Sequence, residues 1–476
     1  MSSIPPRPDL IREENARPGT EEWILRKTRI DPGARFRSSS IEGFCSRQSV
    51  RPGESISFHV STNPPSPFTL DLYRMGYYGG AGGRHMLRLG PFTGEVQPDP
   101  PVGPMRLREC RWNACAGIEI PADWPSGVYL GKLTAGPSGD QSYVIFVVRD
   151  DRPADFIFQC SDLTWQAYNR WPDSYALYDD GKKFWYWGPD TAVSFDRPYG
   201  KYCQLVDAPL STGSGEWLLW EFPVAYWLES RGHDVTYISG IDAHQDPGGL
   251  LRARGFLSVG HDEYYTRAMY DHLLGAIAAG LNVAFLSGNV CCGEIGLRPG
   301  GGGAPDRVFS RTDRFGGASR EETAVFPEMA QLPASAPDEK WLVGARTPAP
   351  PTGSADWICT APDHWLFEGT GMRNGDGIAG LVGWEYHGEP ADIRGLEVVA
   401  SGETQSKHGD GVYTATVYPG AKGNIVFNAA TCWWGDGLAE PPGYVRPQHI
   451  VSPKGPDPRL QRITENLLAR MRGGSQ

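Results

Sequence analysis

The chain has 476 residues, enough for two or three domains, and its 40% hydrophobic content is enough to bury sizeable cores. A net charge of −11, a pI near 5.5 and the lack of any Lys/Arg cluster make it a poor candidate for nucleic acid or an anionic membrane. A mean hydropathy of −0.40 with 16 Trp, 20 Tyr and 18 Phe indicates a soluble protein with aromatic-lined surfaces or clefts. No apolar run approaches the roughly 20 residues that span a bilayer. The polar stretch from Met1 to Trp23 lacks an apolar h-region, so no signal peptide is expected. The nine cysteines are odd in number and form no CxxC pair, which argues against a disulfide framework or structural zinc and for a cytoplasmic location.

Residues 1–38 read as an N-terminal arm. Residues 39–152 are β-rich: the stretches Ser55 to Ser61, Phe68 to Tyr73 and Ser142 to Val148 alternate in polarity, and Pro52-Gly53 and Gly79-Gly80 mark turns. Short strands at this spacing predict an immunoglobulin-like β-sandwich. From 153 to 476 the pattern changes to apolar strands alternating with helices. Ala154 to Cys160, Asp234 to Ile238, Phe256 to Val259 and Val283 to Ser287 are predicted strands. Glu216 to Arg231 and Arg267 to Ala279 are predicted helices. This alternation predicts a doubly wound α/β domain. Gly296 to Ala318, rich in Gly and Arg, is expected to be a long loop or lid. Late strands are expected at Leu381 to Glu385, Glu397 to Ser401, Val412 to Tyr418 and Asn424 to Asn428, and a helix from Leu460 to Met471.

The most informative stretch is His261-Asp262-Glu263-Tyr264, directly after the apolar run Gly255 to Gly260. An imidazole and two carboxylates then sit at the carboxyl end of a parallel strand, where α/β folds bind ligands. The plainer alternative is that Asp262 caps the following helix and Glu263 complements its dipole. Three further islands are Ser161 to Asn169, Val193 to Tyr199, and Leu286-Ser287-Gly288-Asn289. Most follow predicted strands and can converge on one sheet edge. Each has a structural alternative: Trp165 and Tyr168 as core aromatics, Asp196-Arg197 as a local ion pair, Ser287-Gly288-Asn289 as a turn. Cys291-Cys292 suggests a nucleophile but lacks a Gly-x-Cys-x-Gly elbow. There is no Walker loop, no Gly-x-Ser-x-Gly elbow and no His-Glu-x-x-His, and Gly300 to Gly303 is a bare glycine tract.

Together these islands resemble the large (β) subunit of N,N-dimethylformamidase, its C-terminal catalytic part with the β-sandwich before it. The sandwich blocks are Ser46-Arg47-Gln48-Ser49-Val50, Leu72-Tyr73-Arg74-Met75-Gly76-Tyr77-Tyr78-Gly79-Gly80 and Asp123-Trp124-Pro125-Ser126-Gly127-Val128-Tyr129. The resemblance covers about residues 40 to 470. That enzyme has additional N-terminal sequence and a small subunit, so the resemblance speaks for the chemistry more than for dimethylformamide itself. It implies an α/β domain like the class I glutamine amidotransferase-like folds, and a mononuclear ferric iron held by two tyrosinates and one carboxylate. Residue by residue it implies Glu263 as the carboxylate and Tyr168 and Tyr199 as the tyrosines, with Tyr186 and Tyr178 as alternatives for the second. It places His261, Asn289 and Glu385 beside the metal, and suggests a homo-oligomer.

The chemistry is self-consistent. A free Tyr has a pKa of about 10, and a hard trivalent cation favours the phenolate. Two phenolates and a carboxylate balance a 3+ charge, and the ion acidifies water and polarises an amide carbonyl. His261 is expected as the base, Asn289 as a donor to the oxyanion, Glu385 as a relay to the leaving amine. The leading expectation is an iron-dependent hydrolase of a small linear amide. The alternatives are a cysteine-dependent amidotransferase-like enzyme and a carbohydrate- or partner-binding module without catalysis.

Overall fold

The computed structural model describes residues 5–182, 185–202, 205–349, 351–407, 409–447 and 453–473. Between Glu42 and Val148 the period-2 alternation builds two sheets. One has three strands, Glu42–Cys45, Ser55–Ser61 and Ala114–Glu119, with Ser55–Ser61 in the middle. The other has five, in the order Ser49–Val50, Gln141–Val148, Gly127–Ala135, Pro67–Met75 and Gly83–Thr93. Alternate side chains point to one face of a strand. Ile56, Phe58 and Val60 from the first sheet therefore share a core with Leu70, Leu72, Leu133, Val144 and Phe146 from the second. The expected arm is packed down: Ile11, Trp23 and Leu25 are buried, and the Trp23 ring meets Phe222 edge-on at 5.6 Å.

The α/β half is built on a seven-stranded sheet. Five parallel strands run in the order Val235–Ser239, Ala154–Cys160, Ala253–His261, Asn282–Gly288 and Ile425–Asn428. The antiparallel strands Gly411–Pro419 and Glu397–Thr404 complete it. Its apolar residues alternate between two cores. Phe156, Phe158, Leu257, Val259 and Leu286 face the helices Phe222–Ser230 and Pro458–Met471; Ile157, Phe256, Val283 and Phe285 face the helix Arg267–Ala279. Helices thus cover both faces. After Ala154–Cys160 the chain moves outward to Val235–Ser239, then returns to the other side as Ala253–His261. The crevice between the ends of Ala154–Cys160 and Ala253–His261 is the topological switch point where such sheets bind ligands.

The two halves are joined by buried polar contacts. Arg74 pairs with Glu229 at 2.9 Å with both side chains fully buried. The edge strand Val235–Ser239 also contacts the sandwich side of the molecule: the Tyr237 backbone N–H donates to Ser126 Oγ at 2.8 Å, and Arg152 donates to the Val235 carbonyl at 3.1 Å.

Three expectations change. The stretch Glu216 to Arg231 is two helices, Trp217–Trp220 and Phe222–Ser230, broken where the Glu221 carboxylate accepts from the Ser161 backbone N–H and Trp165 Nε1. Pro223, which has no N–H to give, sits in the first turn of the second helix. The segment Gly296 to Ala318 is not a lid. It carries parts of an antiparallel pair, Gly293–Arg298 with Val308–Arg314, in a four-stranded sheet that also holds Ala192–Ser194 and Tyr264–Tyr265. The glycine tract is only the connection between the two strands; Arg311 and Arg314 point inward and are buried. The strand expected to reach Glu385 is Gly377–Val382, which leaves Glu385 in the turn beyond it, after Trp384 at φ +58°. Among the described residues no helix is long and apolar enough to cross a membrane.

Candidate metal centre

Five segments meet at the switch point, carrying His261 with Glu263, Tyr168, Tyr178, Asn289 and Glu385. His261 ends the strand Ala253–His261, and Glu263 follows in the turn. Gly260 makes that turn possible. Its φ is +73°, and a Cβ there would lie 2.5 Å from Trp220 Cβ. The Thr164 hydroxyl accepts from the backbone N–H groups of Glu263 and Tyr264, tying the turn to the short helix Asp162–Tyr168. That helix ends on Tyr168, and Tyr178 comes from the irregular chain after it. Arg197 organises this chain: its fully buried guanidinium donates to the Gln166 side chain and to the carbonyls of Asn169, Trp171 and Tyr175. The local Asp196-Arg197 ion pair, the structural alternative for this island, does not form; Asp196 pairs with Arg307 instead. Nor does Asp262 cap the next helix. Thr266 does, while Asp262 is buried against Gln159, Ser258 and Tyr265.

The resulting cluster is rich in acidic oxygens. Tyr168 Oη donates to Glu263 Oε2 at 2.6 Å, and Tyr178 Oη lies 2.8 Å from both Glu263 oxygens and 2.7 Å from Tyr168 Oη. A third phenol, Tyr264, lies 2.7 Å from Tyr178 Oη and receives two hydrogen bonds from Arg311, at 3.0 and 2.8 Å. All of these groups are buried. Burial raises the Glu263 pKa, and the neighbouring Glu385 adds to it, against the pull of His261 and the two tyrosines. Burial and then the Glu263 charge hold the Tyr168 and Tyr178 phenols far above their usual range. They keep their protons unless a cation displaces them.

On the other side of Glu263 stands a second group. His261 Nε2 is 2.6 Å from Glu385 Oε2 and 3.6 Å from Glu263 Oε2, and Asn289 Nδ2 donates to the same Glu385 oxygen at 2.8 Å. Burial alone would lower the His261 pKa, but Glu385, Glu263 and Glu216 outweigh it and hold it at about 9. Asn289 occupies a left-handed turn at φ +54°, fixed by the Val290 N–H donating to His387 Nε2. Burial lowers the His387 pKa to about 4, so the ring is neutral, with its Nδ1 proton on Asn428. Two buried atoms of this group, His261 Nδ1 and Asn289 Oδ1, have no hydrogen-bond partner among the described residues. Unpaired buried polar atoms are costly, and here both belong to residues that surround Glu385, as expected where a ligand completes the set.

Of the sequence-predicted residues, Tyr168, Glu263, His261, Asn289 and Glu385 are brought together. Tyr199 is not: no hydrogen bond joins it to Glu263. It lines a small cleft with Trp165, Tyr168, Lys201 and Glu216, its ring 6.5 Å from Trp165. Tyr186 instead donates to Asp190. Tyr178, an alternative from the start, occupies the place beside Tyr168. Cys291 and Cys292 are buried, and burial pushes both thiols well above their usual range, which makes them poor nucleophiles. The described cysteines are all free thiols. Tyr264, Arg311 and His387 carried no functional signal in the sequence, although Tyr264 stood within the tetrapeptide already singled out.

The donor set fits a hard cation: two phenols and a carboxylate in mutual contact, buried beside groups with unpaired polar atoms. His261, Glu263 and Glu385 also offer ligand atoms within 4.8 Å of one another. No curated protein matches the chain. Residues 69–448 match the family model described as N,N-dimethylformamidase beta subunit-like, C-terminal, and the chain belongs to that family.

Proposed function

We propose that the chain hydrolyses the C–N bond of a small amide, using a mononuclear ferric ion held by Tyr168, Tyr178 and Glu263. The observation that carries this reading is the contact of two phenols with one buried carboxylate at 2.6–2.8 Å. Tyr178 replaces Tyr199 in the ligand set because it is the tyrosine that reaches Glu263. When bound, the ion would supply Lewis-acid polarisation of the amide carbonyl and an acidified water. The protein supplies the rest. His261 is anchored through Nε2 to Glu385, so Nδ1 is the atom left to exchange a proton with water or the leaving amine. With its pKa held at about 9 by Glu385, Glu263 and Glu216 the ring is an imidazolium near neutral pH, so its Nδ1–H is placed to give a proton to the leaving amine, and a positioned acid of this kind contributes about 10²–10⁴-fold. Asn289 commits one N–H to Glu385; its second N–H and Oδ1 remain to orient the amide. Trp220, 5.7 Å from the His261 ring, helps to exclude bulk water.

A second donor set, His261, Glu263 and Glu385, is supported by their close approach. The two sets separate by spectroscopy, since only phenolate ligation gives a visible charge-transfer band. The test is elemental analysis together with hydrolysis of a panel of small amides including dimethylformamide. About one iron per chain with amine release, both lost in Glu263→Ala, is the expected result. Turnover by Glu263→Ala, or a metal-free active protein, would overturn the proposal. The same reading takes residues 39–152 as an immunoglobulin-like sandwich and 153–476 as a class I glutamine amidotransferase-like domain. It also takes the protein as cytoplasmic, with a second copy and a small subunit as partners, the latter in keeping with the family's description as a subunit.

A further inference from the structure

We propose that Tyr264, held by Arg311, is a positioning residue that makes the two tyrosine ligands chemically unequal, weakening Tyr178 as a donor while leaving Tyr168 at full strength. This rests on the Tyr168, Tyr178 and Glu263 centre proposed above.

The argument is one of hydrogen-bond direction. A guanidinium has only N–H donors and no acceptor. Arg311 directs Nε and Nη2 at the Tyr264 oxygen, so that oxygen accepts twice and its single proton must point elsewhere. The remaining partner of the Tyr264 hydroxyl is Tyr178 Oη at 2.7 Å. Tyr264 therefore donates to Tyr178, and Arg311 prevents the reverse. The guanidinium also lies over the Tyr178 ring, 4.5 Å from its centroid, and over Trp187 at 4.6 Å. Its Nη1 donates to the Leu177 carbonyl, next to Tyr178 in the chain. Arg311 thus fixes both the hydroxyl that addresses the Tyr178 oxygen and the backbone that carries it.

Among the described residues Tyr168 has no such donor. Its hydroxyl touches Glu263 and Tyr178, the other members of the set, and its ring packs on Tyr178 and His261. With a cation bound in place of both phenolic protons, which leave to solvent, Tyr178 would still receive a charge-assisted hydrogen bond and Tyr168 would not. A phenolate oxygen that accepts a hydrogen bond has its charge drawn toward the donor and gives less to a metal. The cation is left more electron-poor, which favours polarisation of an amide carbonyl. Partners of this type that orient and tune ligands commonly change affinity or activity by about 10–100-fold when removed.

The first experiment uses the unmodified, iron-loaded protein and resonance Raman excitation within its visible band. Two resolved phenolate C–O stretches are expected, only one of which shifts in D2O. A single stretch, or two that are both insensitive to deuterium, overturns the inference. The second uses Tyr264→Phe, which removes the hydroxyl and keeps the ring. With about one iron per chain retained, its band is expected at longer wavelength than the unmodified protein's, and kcat about 10–100-fold lower with KM less affected. A band that does not move overturns the inference. Tyr186→Phe, which removes a hydroxyl bonded to Asp190, is the control and leaves the band in place. Failure of the underlying centre looks different: iron-loaded protein with no phenolate band at all.

Discussion

Replacing Arg74 by Met tests how the two halves of the molecule are held together. Arg74 and Glu229 are fully buried, and Arg74 makes bonds of 2.9 and 3.0 Å to the two Glu229 oxygens. The same guanidinium donates to the Ser126 carbonyl and to Tyr78 Oη. After the substitution Glu229 keeps the Tyr237 hydroxyl and Asn15 Nδ2 but no cation. Removing one partner of a buried pair leaves an uncompensated charge and costs about 3–5 kcal/mol. The Ser126 carbonyl, losing its donor, adds to that cost. The assay is equilibrium urea denaturation followed by tryptophan fluorescence, on Arg74→Met, Glu229→Leu and the double variant. The double variant is expected to lose less than the sum of the singles, by about 1–3 kcal/mol, because neither charge is then stranded. A cost below about 1 kcal/mol for Arg74→Met, typical of a solvent-exposed pair, would refute the reasoning.

Other outcomes follow from the site and the surface. Tyr178→Phe should bind much less iron than Tyr199→Phe, as measured by elemental mass spectrometry on both; equal iron contents would return Tyr199 to the ligand set. Gly260→Ala should cost about 1–2 kcal/mol from its left-handed φ alone, and more from the clash with Trp220, seen as a lowered melting temperature together with lost activity. Glu465 gives a pH test. Burial would raise its pKa, but His233 at 3.4 Å and Arg231 at 3.0 Å outweigh that and lower it to about 2. A lowered folded-state pKa adds stability above the unfolded value near 4.5, and that stability is lost as pH falls from there toward 2. Glu465→Gln should therefore flatten the acid limb of stability over this window; an unchanged limb would count against the pairing.

The parallel strands were legible because each is a short apolar run, and those at Ala253–His261 and Asn282–Gly288 end on or beside a glycine at the sheet edge. The position of His261 and Glu263 followed directly, since a residue just past such a strand faces the switch point. Tyr178 was only one of several alternatives. It lies in chain without periodicity, and its place depends on Arg197 bonding the Gln166 side chain 31 positions away and carbonyls 22 to 28 positions away. The pair Gly293–Arg298 and Val308–Arg314 was hidden because its inward-facing positions include Arg311 and Arg314, charged residues that normally mark an outer face. What made those positions inward comes largely from elsewhere in the chain: the phenol of Tyr264, 47 positions before Arg311, and the buried Glu339, 25 positions after Arg314, with Glu322 eight positions on. The break at Glu221 was illegible for a similar reason: the donors that hold it, Ser161 and Trp165, are about 60 residues earlier.

The strand Val235–Ser239 is the free rim of the large sheet, and a bare rim of backbone donors and acceptors recruits strands from other molecules. Here Ser126 and Arg152 occupy part of that rim, so the sandwich shields its neighbour from self-association. The α/β half produced without the first 150 residues should then precipitate or form strand-paired oligomers.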